Sequence, residues 1–407
     1  MSPPKPFASH HHLWHRKTRA LSYTFGTDMA EQIPITPALL TWARERAGLS
    51  RDEAAQKFKR IADWEAGQSA PTYPQLEQLS DTLKVPIAVF FFPEPPDVPA
   101  INETFRTLPE AELNRLPSRL RLLMRKAKAM QINLAELTQG RNPAERLITR
   151  DLEFAPSVGI AEMATAVRDY IGVSVQQQQG WPNDEAALKE WRAALLSVGV
   201  YVFKDAFRVD DFSGFCLYDN EFPIIYANNS ATKTRQIFTY FHELAHLIFH
   251  TSGVDKVRDG YIDRLVGDAR QIEVICNSFA AQVLVPEDAF QRAMAGRAAS
   301  EATAELLAGQ FHVSREVIFR RLLDQGRVGQ LEYDRAVERW NAQRAVERAP
   351  GGNPYWTKLA YLGREYVALA LSHYHQNRID EGQLADFLDT KPRYVGALEE
   401  YFSRGPA

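Results

Sequence analysis

Residues 239–250 read Thr239-Tyr240-Phe241-His242-Glu243-Leu244-Ala245-His246-Leu247-Ile248-Phe249-His250. Within them His242, Glu243 and His246 make the pattern His-Glu-x-x-His. On a helix, positions i and i+4 lie one above the other, so both imidazoles reach a single ion. Glu243 sits beside them, placed to take a proton from water rather than to ligate. Zinc suits this donor set, because a catalytic zinc takes three protein ligands and keeps one open position. The flanking Phe241, Leu244, Leu247, Ile248 and Phe249 predict a buried helix, where two histidines and a glutamate without a task are costly. Three of the chain's ten histidines fall between His242 and His250, a concentration that composition alone does not produce.

The third ligand has three candidates. His250 lies two turns beyond His242, about 12 Å along the axis at 1.5 Å per residue. It reaches the same ion only if the helix breaks after His246. Metalloproteases that break there carry Gly where this chain has Phe249. Cys276 is a soft donor, although one thiolate with two imidazoles is the less usual hydrolytic set. Glu273 fits best, since it opens an apolar helix running through Ala281 that buries few other acids. Asn277, one turn later, faces the same way and is placed to orient a ligand histidine. This Glu-x-x-x-Asn spacing is the gluzincin arrangement, with Asn where Asp is commoner.

The 407 residues predict two or three domains, and 45% apolar with 24% charged residues is a soluble globular composition. No apolar run approaches the roughly 20 residues that span a bilayer. The longest, Val85 to Phe92, is interrupted by Pro86. Cys216 and Cys276 are the only cysteines, which points to a reducing, cytoplasmic setting. Residues 1–28 read as a disordered leader, or as an over-called start ahead of Met29; a metal-binding role for His10–His12 is the lesser reading. Beyond Asp28 the chain holds 44 basic and 50 acidic residues, so it is no polycation built for bulk nucleic-acid binding.

Around the motif the expected organisation is a compact helical module at 33–92, a helical linker region with a basic helix at 104–180, and a metallopeptidase core at 190–290. A helical extension at 300–345 and a helical C-terminal region at 355–407 complete it. The fold class is α+β, mainly helical, with a zincin-like core and a small sheet. Short β-branched and aromatic runs at Val198–Phe203, Phe212–Tyr218 and Pro223–Ala227 predict that sheet. Two helices are expected to flank a polar loop from Thr251 to Arg264. Strand Phe222–Asn228 is placed to align an extended substrate by backbone pairing. Tyr226, Tyr240 and Tyr261 are equal candidates for stabilising an oxyanion.

Residues from about 195 to 290 resemble the ImmA/IrrE family of intracellular zinc metallopeptidases. The resemblance is carried by Gly214-Phe215, by Pro223 through Asn228, by Phe238-Thr239 leading into His242–His246, and by Glu273 through Phe279-Ala280-Ala281 to Leu284-Val285-Pro286. It implies a gluzincin fold, bound zinc, and cleavage of regulatory proteins, often Xre-type repressors, in stress or mobile-element responses. Cys276 stands where the family usually has Ala. The N-terminal module similarly resembles an Xre helix-turn-helix through Arg44 to Ser50, Trp64-Glu65-Ala66-Gly67, and Pro71-Thr72 to Leu79.

That module departs from its pattern. No Gly, Pro or Asn lies between Ser50 and Gly67, and Ala54, Phe58, Ile61, Ala62 and Glu65 share one helical face. One continuous helix is expected, with the recognition helix fused or lost. Residues 33–92 carry seven basic and seven acidic side chains, giving no electrostatic footprint for DNA. Residues 104–150 differ, with ten basic against four acidic. Arg119, Arg121, Arg125, Lys126 and Lys128 lie off the apolar stripe of a helix beginning at Ser118, as a solvated face or as a contact for nucleic acid or an acidic partner. Tyr355, Trp356, Tyr361 and Tyr366 near the C-terminus are either core or binding anchors.

Two functions follow. The first is a zinc endopeptidase of narrow specificity, with His242, His246 and Glu273 on zinc, Glu243 as base and a regulatory protein as substrate. The second is an Xre-like regulator or antitoxin that acts by partner or DNA binding, with a structural or latent metal site. A structural zinc needs a fourth protein ligand, which only Cys276 supplies.

Overall fold

The computed structural model describes residues 32–83, 85, 87–95, 116–154, 158–209, 211–250, 254–256, 268–344 and 352–405. The leader expected at 1–28, and Tyr261, lie outside them. The chain divides into two compact units. The described residues up to Arg46, with Ser50–Pro95, form one; Ala47–Leu49 and the described residues beyond Pro96 form the other.

The first unit holds α1 (Pro37–Arg46), α2 (Arg51–Lys57), α3 (Ile61–Glu65) and α4 (Tyr73–Leu83). Ser50 and Glu53 form a capping box at the start of α2, each side chain accepting from the other's backbone N–H. The single helix expected from Ser50 to Gly67 is not found. Phe58 leaves the helix at φ −120°, ψ 83°, and Lys59 and Arg60 turn the chain into α3. Packing explains the break. An unbroken helix faces Ala62 inward, whereas the turn buries Trp64 at 2% exposure and leaves Ala62 outside. The indole buries far more apolar area than a methyl group, so it decides the geometry. Glu65 then lies between Arg44 and Arg51, 2.5 and 3.0 Å away. The three-residue break is the turn a helix-turn-helix requires.

The second unit is built on a sheet of β1 (Tyr201–Asp205), β2 (Phe212–Leu217), β3 (Ile224–Asn228) and β4 (Val254–Lys256). The order is β1-β3-β2-β4, with β1 parallel to β3 and the other pairs antiparallel. β4 lies inside the segment expected to be only a polar loop. Every residue of β1, β2 and β3 is buried, because both faces are covered and alternation has no polar side to show.

Fifteen described α-helices surround the sheet. Before it come α5 (Ser118–Leu137), α6 (Ile148–Asp151), α7 (Ile160–Ile171), α8 (Val175–Gln179) and α9 (Asp184–Ser197). Within and after it come α10 (Lys233–Ile248), α11 (Asp268–Leu284), α12 (Glu287–Met294), α13 (Glu301–Phe311), α14 (Arg315–Asp324) and α15 (Gln330–Arg344). The C-terminal group is α16 (Pro354–Leu362), α17 (Arg364–His375), α18 (Glu381–Phe387) and α19 (Val395–Arg404).

Val202, Cys216, Ile225 and Ala227 face the core shared with α9, α10 and α11. Tyr201, Phe203, Phe215, Leu217, Ile224 and Tyr226 face the opposite core, shared with α5 and α16–α19. The C-terminal helices therefore roof the back of the sheet. Tyr366 belongs to that core, its hydroxyl donating to Phe387 O at 2.9 Å. The basic helix is also tied inward: Arg119 pairs with Asp205 at 3.1 Å, and Lys126 pairs with Asp205 and Asp389 at 2.7 Å each. These two residues hold α5 to the sheet and to the C-terminal helices rather than offering a free basic face.

Sheet order corrects the substrate-aligning strand. β3 is hydrogen-bonded on both sides, so its backbone has no edge for an added peptide. Only β1 and β4 are edges of the described sheet.

Gly214 sets how closely α10 approaches. A Cβ placed there meets Thr239 Cγ2 at 2.3 Å and Tyr226 O at 3.1 Å. Gly214→Ala is expected to lower the thermal midpoint by several degrees, the scale of about 1–3 kcal/mol for overpacking a filled core. Adding Thr239→Ser, which removes the clashing methyl, should restore part of it. Equal midpoints for the single and double variants would show that the clash is not the cause.

Candidate metal centre

α10 begins at Thr232, whose hydroxyl accepts from Arg235 N, and every residue from Gln236 to Ile248 is buried. A helix apolar on all sides belongs in a core, and here α9, α11 and the sheet enclose it. His242 and Glu243 are 0% exposed and His246 is 3% exposed. α11 runs alongside and brings Glu273, 7% exposed, to the same place. Among the described residues, His242, His246 and Glu273 form a group of donors able to hold a metal.

The distances within the trio are nearly equal. His242 Nε2 lies 3.3 Å from His246 Nε2 and 3.3 Å from Glu273 Oε2, while His246 Nε2 lies 3.4 Å from Glu273 Oε1. At ligand distances of 2.0–2.1 Å, a tetrahedral zinc site has edges of about 3.3–3.4 Å. The residues therefore fit the ion in donor type, number and spacing. Asn277 accepts from His242, with Nδ1 and Oδ1 2.9 Å apart. A carbonyl oxygen only accepts, so it holds the proton on Nδ1 and leaves the Nε2 lone pair facing Glu273 and His246.

Cys276 is fully buried and hydrogen-bonds His246, standing outside the trio. Burial alone would raise the Glu273 carboxyl. Hydrogen bonds from His242 and His246 outweigh it and hold the group well below the usual carboxylate range. Burial likewise opposes charge on His246, but Cys276 and Glu273 together draw its pKa well above the ordinary value. Both shifts show the same thing: a carboxylate and imidazoles crowded together favour positive charge between them.

The other candidates lie elsewhere. α10 ends at Ile248, and His250, at φ 55°, donates from Nε2 to Thr149 O at 2.9 Å. Tyr226 packs into the core behind the sheet and hydrogen-bonds Lys126. Tyr240 is buried beside Arg192 of α9. Sequence reading missed what fixes α11. Arg168 donates to Val283 O at 2.7 Å, and Gln178 donates to Leu284 O at 2.9 Å. These bonds satisfy carbonyls at the helix end that otherwise lack partners. Gln178 lies in a run of four glutamines that carries no periodic signal.

Residues 196–323 match the family model described as the IrrE N-terminal-like domain, Peptidase_M78, and residues 40–90 match the model described as Helix-turn-helix. No curated protein matches the chain. Both matches fall on the segments whose residues resemble the ImmA/IrrE family and an Xre helix-turn-helix. No helix among the described residues is long and apolar enough to cross a membrane.

Asn277→Ala is expected to weaken zinc binding about 10–100-fold, the usual effect of removing a group that orients a ligand histidine. Competition against a chromophoric chelator measures it. An unchanged affinity would remove Asn277 from the site.

Proposed function

We propose that this chain is a zinc endopeptidase of narrow specificity that cleaves a regulatory protein. The observation that carries the reading is the trio of buried donors, spaced 3.3–3.4 Å apart on two packed helices. His242, His246 and Glu273 hold the ion. Bound zinc supplies a Lewis acid that polarises a peptide carbonyl and makes water a nucleophile near neutral pH. Glu243 takes the proton as water attacks and passes it to the departing amine. Asn277 keeps His242 in the tautomer and orientation that ligation needs. The dry surroundings strengthen each of these interactions.

A protein in a stress, mobile-element or toxin-antitoxin response is the substrate class this reading favours. It rests on the ImmA/IrrE match together with the helix-turn-helix match on one chain. A second reading, regulation through DNA, has one observation in its favour: the turn between α2 and α3 is present, so the first unit has the two-helix arrangement that DNA-binding modules use. Its balanced charge argues the other way. A gel shift at about 0.15 M salt separates the two, because an operator preference that survives there requires more than phosphate attraction.

Metal analysis of purified protein should give one zinc per chain, lost in His242→Ala, His246→Ala and Glu273→Ala. Glu243→Gln should keep the zinc and lose cleavage by about 10²–10⁴-fold. For the substrate, protein termini are compared by mass spectrometry between cells making the active chain and cells making Glu243→Gln. A few new termini are expected with the active chain only. Identical terminus profiles would sink the peptidase reading, and hundreds of new termini would sink the narrow specificity.

A further inference from the structure

The mechanism above leaves one buried charge unused. Lys204 lies on edge strand β1 and shares the inward face of Val202, under α9 and α10. It is 7% exposed. Its side chain forms no hydrogen bond among the described residues, and burial pushes its amine down to about 7. An ammonium carries three donors and no acceptor, so a buried one is normally surrounded by oxygens. Here its charged neighbours are mostly cations: Arg192 of α9 and Lys233 of α10, with Glu185 of α9 as the opposing charge.

Those neighbours are already engaged. Arg192 donates to Ala360 O at 2.6 Å and Tyr361 O at 3.1 Å, and also to Val202 O. Glu185 is 2.7 Å from Lys233. That pair is far more open than Lys204, with side chains 68% and 40% exposed. The arrangement grades from an exposed ion pair to a lysine that is buried along most of its length and whose amine has no acceptor among the described residues. Tyr240 OH, close to Arg192 and Glu185, is buried and forms no hydrogen bond with any described group. A buried hydroxyl without a partner is a donor that an acceptor from outside the chain can satisfy.

We propose that Lys204, with Arg192 and Lys233 as flanking charge, forms a binding site for a small oxyanion. The site joins β1 to the N-terminal half of α10, the helix that carries His242 and His246. An oxyanion supplies the acceptors Lys204 lacks and balances three cations that face Glu185 and, from α17, Glu365 near Arg192. Lys233 is free to turn from Glu185 to the anion at little cost, because exposed ion pairs are weak. Binding stabilises the folded chain, since the unfolded chain has no such site.

Sulfate is the probe, because its charge is constant between pH 6 and 8. The thermal midpoint of the full chain is followed against millimolar sodium sulfate and against sodium chloride at equal ionic strength. The site predicts a saturable rise with sulfate beyond the chloride control. The rise is larger at pH 6, where Lys204 is charged, than at pH 8. The other groups facing Lys204 are Arg192, Lys233, Glu185, Glu365 and Tyr240, side-chain types whose ordinary pKa values lie outside pH 6–8. Lys204→Met should abolish the effect.

Lys204→Arg keeps a permanent cation and should retain sulfate binding at both pH values. It also keeps the test decisive if the methionine variant fails to fold. Three results overturn the proposal: a sulfate response equal to chloride, a response equal in Lys204→Met, or a response that grows only with non-saturating high salt. The last is general surface exclusion, and any of the three leaves only water in the seam.

Discussion

Two imidazole nitrogens lie 3.3 Å apart, each 3.3–3.4 Å from one carboxylate oxygen of Glu273, where almost no water reaches. Lone pairs held this close repel unless a proton or a cation lies between them. That requirement organises the second unit. α10 has to be apolar all round so that its histidines are dry, and α11 has to lie against it in one register so that Glu273 arrives opposite them. Gly214 lets α10 settle on the sheet, while Arg168 and Gln178 anchor the far end of α11. The sheet in turn is buried on both faces because α5 and the C-terminal helices cover its back.

Much of this was legible in the residues, because the site is written in local spacing. His246 stands four positions after His242 and Asn277 four after Glu273, and each interval is one helical turn. Helix α5 was equally plain, its apolar stripe running from Leu120 to Leu137. What failed was long-range packing. The residues Ala54, Phe58, Ile61, Ala62 and Glu65 suit one helical face, yet the core takes Trp64 in preference to Ala62 and the helix breaks. Apolar periodicity counts positions and ignores size. The strand within 251–264 was hidden by its polar composition, and the central place of β3 depends on pairings between residues far apart in sequence.

The charged surface misled for a related reason. Arg119 and Lys126 stand off the apolar stripe of α5, as a solvated face does, but Asp205 and Asp389 come from the sheet and the C-terminal helices to meet them. Partners from other elements cannot be seen in a single stretch of chain. Lys204 is the converse case: it sits in a buried strand, and no carboxylate among the described residues forms an ion pair with it. Cys276 likewise gave no clue in sequence whether it would face the ion; it contacts His246 from outside the trio.

The account stands or falls on the donor set. X-ray absorption at the zinc edge of the purified full chain reads that set directly, since nitrogen and oxygen donors lie at about 2.0–2.1 Å and sulfur at about 2.3 Å. The account predicts a first shell of nitrogen and oxygen only, with the outer-shell scattering of two imidazoles. A sulfur shell would place Cys276 on the ion, close the site with four protein ligands, and contradict the proposed peptidase.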